Sequence, residues 1–400
     1  MGGAYLKITL KGKQDEFLTG NASRNFFIKA YENTFDFSVD QIKLYFIEDV
    51  DFGKKISLTF PKQADLLHKT YFCFNLPALT FSTGTFVGWT NNIGHAIIDY
   101  IDLEIGDKLI SRYHGLYLDI WEELTGVTHL ENIMLGKYSN NDVIKNTATE
   151  ESEYVVPLPF WFCKRYSSAF PMICLIYHQV KITIKLKEFS KCVLYDGVSE
   201  PSPVKISNPY ILADYIFLED SLKIRIKSKP QRLLIEQVQS KDTSGEDSNS
   251  SNGIFKTSLP FNHPVKELLW VFIEDENFEN NDLFNYSKRN LIPFTKVFSL
   301  MKNAKLNIDG KDYSELKDEI VYRVTSNHKN ITDKHIYTLP FCLFPEDIEP
   351  SGTLNFSKID SVNLYGEMRT PTPLNKMYVF AVNYNWLNIQ NGLSSLMFIT

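Results

Sequence analysis

Val180-Lys181-Ile182-Thr183-Ile184-Lys185-Leu186 alternates aliphatic and polar side chains along its whole length. A period of two places all four aliphatic residues on one face, which is typical of a β-strand with one buried face. The same alternation recurs at 55–60 and at 100–105, where Gly106 and Asp107 follow. These stretches predict strands in the first half of a β protein.

The second half of the chain carries strand signals of its own. We predict strands at 265–273, at 305–308 and at 377–389. Asp309-Gly310 follows the second of these and favours a type I′ hairpin turn. One segment breaks the pattern, because residues 117–124 have apolar side chains at helical spacing and stop at Gly126, which predicts a short amphipathic helix. We expect loops at 138–153, at 197–209 and at 241–253.

Length and composition predict two domains. The chain has 400 residues, of which 44% are apolar, and 29 Phe and 21 Tyr favour strands. The character of the sequence shifts to Lys and Arg after Leu218. We therefore divide the chain into an N-terminal arm at 1–25, a first domain at 26–218 and a second at 219–400. No repeated sequence is evident between the halves.

Charge and cysteine content exclude several classes of function. A net charge of −6 argues against direct wrapping of nucleic acid, which requires a basic surface. The five cysteines are odd in number and include no C-x-x-C pair, so neither a disulfide scaffold nor a zinc site is expected. No signal peptide and no run of 18 apolar residues is present, so we expect contact with a membrane only through partners.

Two clusters of polar residues are candidate sites. His95, Asp99, His114 and Asp119 share no ligand spacing, so we predict core or capping roles rather than a metal site. Asp119, Glu122 and Glu123 could be a hydrolytic carboxylate pair, but an exposed helix face explains them better. No G-x-S-x-G or P-loop motif occurs. We therefore predict no catalytic, cofactor-binding or metal-binding residues.

Three further features have local interpretations. His263, within Asn262-His263-Pro264, is predicted to be a turn residue rather than a catalytic one. The basic run at 223–232 is predicted to make salt bridges between domains or subunits rather than to contact phosphates. If sugar is attached, Asn249 and Asn285 are the best candidates, because both sequons fall in expected outer loops.

Six segments occur in the order found in one family. They are Gly12-Lys13-Gln14-Asp15-Glu16-Phe17-Leu18-Thr19-Gly20-Asn21, Asn91-Asn92-Ile93-Gly94-His95-Ala96, Leu158-Pro159-Phe160-Trp161-Phe162-Cys163, Leu212-Ala213-Asp214-Tyr215-Ile216-Phe217-Leu218, Leu259-Pro260-Phe261-Asn262-His263-Pro264-Val265 and Pro350-Ser351-Gly352-Thr353-Leu354-Asn355-Phe356-Ser357-Lys358-Ile359-Asp360. Through these segments the chain resembles the double jelly-roll major capsid proteins of nucleocytoplasmic large DNA viruses, over about residues 10–400.

The resemblance implies an all-β fold of two tandem eight-stranded antiparallel jelly rolls with short helices in the loops. It also implies a non-enzymatic homotrimer that forms a pseudo-hexagonal capsomer of an icosahedral virion. Its partners would be neighbouring capsomers and minor capsid proteins, with indirect contact to an internal membrane, no direct contact with nucleic acid, and assembly in the host cytoplasm.

The sequence departs from the family pattern at 32–33, at 62–66 and at 392–395, and the chain is short for a major capsid protein. A minor capsid paralogue of the same fold is therefore an alternative. From different classes, a carbohydrate-binding β-sandwich module and a glycoside hydrolase also remain open. A module of the first kind would bind glycan as a monomer, whereas the hydrolase would need two facing carboxylates.

Overall fold

The computed structural model of the protein describes residues 36–80, 84, 86–126, 128–138, 148–197, 200–242, 253–287, 299–369 and 375–398. The predicted N-terminal arm at 1–25 lies outside these residues, as do Asn249 and most of the loop predicted at 241–253.

The first half of the described chain contains ten strands. They are β1 (Phe37–Tyr45), β2 (Lys55–Thr59), β3 (Leu66–Leu76), β4 (Val87–Trp89), β5 (Ile98–Ile105), β6 (Lys108–His114), β7 (Ser152–Pro157), β8 (Val180–Leu186), β9 (Val193–Tyr195) and β10 (Ser207–Leu218). Its helices are α1 (Ile93–Ala96), α2 (Gly115–Thr125) and α3 (His129–Leu135).

The second half begins with a helix and continues with short and long strands. The strands are β11 (Gln231–Asp242), β12 (Ile254–Ser258), β13 (Pro264–Glu274), β14 (Met301–Ile308), β15 (Lys311–Asp312), β16 (Lys317–Asp318), β17 (Tyr337–Pro340), β18 (Leu354–Asn355), β19 (Val362–Met368), β20 (Asn375–Gln390) and β21 (Leu393–Leu396). The helices are α4 (Asp220–Lys227), α5 (Asp275–Glu279) and α6 (Glu319–Val324).

The first half folds into two four-stranded antiparallel sheets. Sheet I has the order β1-β10-β3-β7 and sheet II the order β2-β8-β5-β6, while β4 and β9 form a separate pair. If β4 and β9 are left out and the remaining eight strands are numbered 1 to 8 along the chain, sheet I has the order 1-8-3-6 and sheet II the order 2-7-4-5. This is the strand order of a jelly roll. The core fills the space between the two sheets.

The second half repeats this order of strands. Sheet III runs β11-β20-β13-β17 and sheet IV runs β12-β19-β14-β15, with β16 also paired to β14 as a second piece of the fifth strand. The short strands β18 and β21 extend sheet III. The described chain is therefore a double jelly roll, as the family resemblance implied.

The clearest sequence signals are confirmed in the structure. β8 has the predicted bounds, and its four aliphatic side chains are buried between sheets I and II. The helix predicted at 117–124 is α2, which is slightly longer. At the turn after β14, both Asp309 (φ 48°) and Gly310 (φ 79°) have positive φ, as a type I′ turn requires.

Some loop predictions were too long. β7 begins at Ser152, inside the loop predicted at 138–153, and β10 begins at Ser207, inside the loop predicted at 197–209. Turn residues mark where a loop can lie, but pairing with a neighbouring strand decides where it ends. Here β3 supplies that neighbour for both β7 and β10.

A bulge occurs at the same place in both jelly rolls, where the third strand pairs with the eighth. The register shifts between Ala213 and Tyr215 opposite β3, and between Val265 and Glu267 on β13. Each bulge directs a fully buried polar side chain to a backbone carbonyl in the segment after the sixth strand. His68 Nδ1 lies 2.6 Å from Phe162 O, and Lys266 Nζ donates to Asp347 O at 2.7 Å.

We predict that Gly310→Ala destabilises the second jelly roll by about 1 kcal/mol through backbone strain alone. No atom lies within 4 Å of the position that a Cβ would take, but φ is +79°. Thermal unfolding measures the effect. Asp309→Asn is the control, because Asn tolerates positive φ and retains the oxygen that accepts from the Ser361 amide. Equal stability of Gly310→Ala and the wild type would contradict the two-residue turn.

Candidate functional site, the interface between the jelly rolls

Sheet III buries apolar side chains on both of its faces. Along β13, Leu268, Trp270 and Phe272 enter the core of the second jelly roll, whereas Leu269 and Val271 join the core of the first. A strand buried on both faces shows a continuous apolar run in place of alternation. The run at 268–273 therefore marks the strand through which the second jelly roll packs on the first.

Helix α2 and strand β6 are two elements that the first jelly roll presents to sheet III, and Gln237 of β11 donates to the Ile110 carbonyl of β6. The Tyr117 ring of α2 lies 5.6 Å from Phe380 on β20, and Trp121, one turn later, makes an edge contact with His328 at 6.0 Å. Lys164 Nζ lies over the same Trp121 ring, 4.3 Å from its centre. Aromatic contacts of this kind add to the energy of area burial.

Asp119 forms the ionic centre of the interface. Its carboxylate is fully buried, and Lys334 Nζ of the second jelly roll donates to both of its oxygens at 2.9 Å. Tyr286 donates to it at 2.6 Å and Asn92 at 2.8 Å. Burial raises the pKa of Asp119, but Lys334, Lys137 and the Tyr286 hydroxyl outweigh burial and hold it below its ordinary value.

The end of α2 is closed by a loop from the second jelly roll. Asn330 Nδ2 donates to Glu123 O at 2.7 Å, and the Asn330 amide donates to Leu124 O at 3.2 Å. Thr332 Oγ1 donates to the Glu123 carboxylate at 2.9 Å. Helix C-termini leave carbonyls without intrahelical partners, and here the other half of the chain supplies those partners.

Lys137 connects two neighbouring carboxylates of α2. Its Nζ lies 3.2 Å from Glu122 and 2.8 Å from Glu123. Burial raises the pKa of Glu122 to about 7 against the effect of Lys137, and burial lowers the pKa of His95 to about 3. His95 Nδ1 lies 3.2 Å from Glu122 Oε2 and 3.1 Å from Asn92 Nδ2.

A second ionic cluster lies beside Trp121. Glu236 on β11 pairs with Lys164 of the first jelly roll and with Lys266, which emerges from the bulge of β13. Next to it, His328 Nε2 lies 2.8 Å from the buried carboxylate of Glu267. Partnered charges of this kind tolerate burial, whereas loss of one partner leaves an uncompensated charge.

The expectation that Asp119, Glu122 and Glu123 form an exposed helix face was wrong. Asp119 and Glu122 are buried and Glu123 is half-buried, because Tyr286, Lys137 and the loop at 330–334 cover this side of α2. The sequence around α2 shows an amphipathic helix but not that a second domain covers its polar face. The geometry is that of paired charges between domains, with Lys334 between two of the three carboxylates.

The other candidate residues are dispersed. His95 joins the Asp119 cluster through Asn92, whereas His114 precedes α2 and contacts Tyr100 of β5. Within the described ranges, no group of three His, Cys, Asp or Glu side chains could hold a metal ion. The prediction that the chain has no catalytic, cofactor or metal site stays a prediction.

The remaining local predictions have mixed outcomes. His263 occupies a turn with φ 68°, and its amide donates to Ser357 Oγ at 2.8 Å. Lys223, in the basic run, lies 3.6 Å from Asp65 of the first jelly roll. Asn285 is half-buried and its amide donates to Asp282 at 2.8 Å, so its use as a glycosylation site stays a prediction.

Sequence reasoning missed the basic partners of these carboxylates. Lys266 and Glu267 interrupt an apolar strand, and a charged pair in such a run is a recognisable sign of buried, paired charges. Lys334 carries no such signal, because its neighbours Asp333 and His335 are polar. Only the meeting of the two halves reveals its role.

We predict that Lys334→Met lowers the free energy of unfolding by about 3 kcal/mol, because Asp119 and Glu123 lose the cation they share. Adding Asp119→Asn should recover part of the loss, and urea unfolding followed by tryptophan fluorescence measures both. The control is Lys54→Met, which breaks an exposed pair with Asp49 at 2.6 Å and should change nothing measurable. Equal effects of the two Lys→Met substitutions would contradict the role of Lys334.

We predict a pH-dependent effect of Glu122→Gln. Because folding raises the pKa of Glu122 to about 7, the stability it contributes is present below its ordinary pKa of 4.5 and is lost as the pH rises through 7. Glu122→Gln removes this loss, so its stability relative to the wild type should increase by roughly 2 to 3 kcal/mol from pH 5 to pH 8. Burial of His95 gives stability the opposite dependence on pH, but His95 is present in both proteins and its effect cancels in the comparison. Urea unfolding of the variant and the wild type at several pH values measures the difference. A difference independent of pH would contradict the raised pKa.

Comparisons with known proteins agree with this architecture. The family model described as "Major capsid protein N-terminus" matches residues 25–219, and the model described as "Large eukaryotic DNA virus major capsid protein" matches residues 223–395. The major capsid protein of Pyramimonas orientalis virus is 29% identical over 421 aligned positions that cover 100% of both chains.

Two solved structures share the fold. "PBCV-1 virus capsid, quasi-atomic model" matches with a TM-score of 0.82 and 23% identity over 94% of this chain and 100% of that one. The Faustovirus major capsid protein matches with a TM-score of 0.71 and 11% identity over 92% and 93%. With two family models that together match nearly the whole double jelly roll, the chain belongs to the major capsid protein family of large eukaryotic DNA viruses.

Proposed function

We propose that this chain is a structural subunit of an icosahedral viral capsid, and that three copies form a pseudo-hexagonal capsomer. The observation that carries the proposal is the repeated strand order, 1-8-3-6 and 2-7-4-5, in both jelly rolls. Three chains of two similar units place six similar units around one axis. Such a ring has six similar sides and can tile a shell.

The interface between the jelly rolls supports this proposal. A capsomer can present a fixed outline only if the two units of each chain keep one relative orientation. Apolar packing through Leu269 and Phe380, together with the buried Lys334–Asp119 pair, favours one orientation over others. We propose residues 26–218 and 219–400 as the two units.

The surroundings of the capsomer follow from the same proposal. The protein would reside in the virion after assembly in the host cytoplasm, in contact with neighbouring capsomers and minor capsid proteins. In the part of the chain that is described, no helix has the length and apolar character needed to span a membrane. Contact with an internal membrane would be indirect, and the net charge of −6 argues against contact with nucleic acid. Assembly, and not catalysis, would be its activity.

We predict that the purified protein is a stable trimer in solution, with three times the chain mass of 46.2 kDa. Obligate interfaces commonly bury roughly 2,000–5,000 Å², so the trimer should persist on dilution to nanomolar concentration. Light scattering combined with size-exclusion chromatography measures the mass. A well-folded monomer at all concentrations would contradict the capsomer. A count of copies per purified virion would then separate a major from a minor subunit.

A further inference from the structure

The two jelly rolls place a helix at the same point of their topology. In the first, α2 follows the fifth strand and packs on the fourth, where Gly115 faces Ile98 of β5 so closely that a Cβ would lie 2.3 Å from the Ile98 oxygen. In the second, α6 follows β16 and packs on β14, where the Tyr322 hydroxyl donates to Ala304 O at 2.9 Å. Helices α2 and α6 are therefore equivalent elements.

Within the chain, one such helix meets one sheet face. The outer face of sheet III, with Leu269 and Phe380 side by side in the ladder, lies against Tyr117 of α2. The contact is head-to-tail, because the first jelly roll offers its helix and the second offers the face of its 1-8-3-6 sheet. Head-to-tail contacts generate rings when the rotation between units closes.

The equivalent pair of surfaces remains exposed to solvent. On α6, Ile320 and Val324 are one turn apart and 50% and 51% exposed. On the outer face of sheet I, Leu212 pairs with Tyr71 in the ladder and both are half-buried, while Val39 is 37% exposed. Contact with further copies of the chain would bury α6 and the outer face of sheet I, as α2 and sheet III bury each other within one chain.

We propose that α6 of one chain docks on the outer face of sheet I of a second copy of this chain. This inference rests on the proposed trimer and assigns its contact surfaces. It makes the contact between chains a repeat of the contact within the chain, so that six jelly rolls alternate around the ring through one type of helix-to-sheet contact. On the helix side this contact is apolar, through Ile320 and Val324. On the sheet side Leu212 and Val39 are accompanied by Lys43, which pairs with Leu212 in the ladder, and by the hydrogen bond between Gln41 and Asp214.

Complementary variants test the proposal. The helix variant Ile320→Glu with Val324→Glu disables only α6, and the sheet variant Val39→Glu with Leu212→Glu disables only sheet I. Each variant on its own should be monomeric, because the dissociation constant of the contact between chains should rise at least hundredfold. A 1:1 mixture retains one intact helix and one intact sheet face per pair, so native mass spectrometry should detect heterodimers but no closed trimers.

The control is Ile176→Glu, which places the same charge on a 66% exposed side chain between β7 and β8, where the residue packs on Gly392. It should remain trimeric. Thermal unfolding checks folding, and a variant that melts early is replaced by Ile320→Gln or by Val39→Glu alone, for which a weakened trimer is expected.

The outcomes separate the two proposals. A wild-type chain that never forms trimers overturns the proposed capsomer itself. A trimeric wild type whose helix or sheet variants also stay trimeric overturns only the assignment of surfaces. Equal dissociation of the Ile176→Glu control, or a mixture that yields no heterodimer, also overturns it, because either result shows that the added charge acts elsewhere.

Discussion

Sheet III must bury two apolar faces, and this constraint organises the molecule. One face closes the second jelly roll around Trp270, and the other face, with Leu269 and Phe380, packs on the first jelly roll. Neither face can be left in water without losing hydrophobic stabilisation of about 25 cal/mol for each Å². The second jelly roll therefore depends on the first to bury the outer face of sheet III, which joins two similar units into one subunit.

Apolar packing alone does not choose one orientation between two smooth surfaces. The pair between half-buried Lys334 and fully buried Asp119 does, because any sliding of the second jelly roll along α2 would leave a desolvated carboxylate without its cation. The closure of α2 by Asn330 acts in the same way through backbone groups. These polar contacts add specificity of orientation to an interface whose attraction comes from area burial.

Individual strands and turns could be predicted from local signals and the double jelly roll from the family resemblance, whereas the interface could not be predicted. Strict alternation located β8, and Asp309-Gly310 located the turn after β14, since both depend on residues adjacent in the chain. The charged residues of α2 were assigned to solvent, because the sequence does not show which surface will cover a helix. Equivalence of the halves was equally hidden. Leu158-Pro159-Phe160 directly follows the sixth strand of the first half, and Leu339-Pro340-Phe341 covers the end of the sixth strand of the second half, but this becomes visible only once the strands are ordered.

The equivalence also explains why the two helix-to-sheet surfaces differ in chemistry. The halves of one chain are tethered through α4, so their contact loses little translational entropy and can include desolvated charges that mainly fix orientation. A contact between separate chains must first offset the entropy of association, which apolar area does more effectively. The bulges at His68 and Lys266 occur at the same place in both halves, whereas α2 and α6 differ in the side chains that they carry.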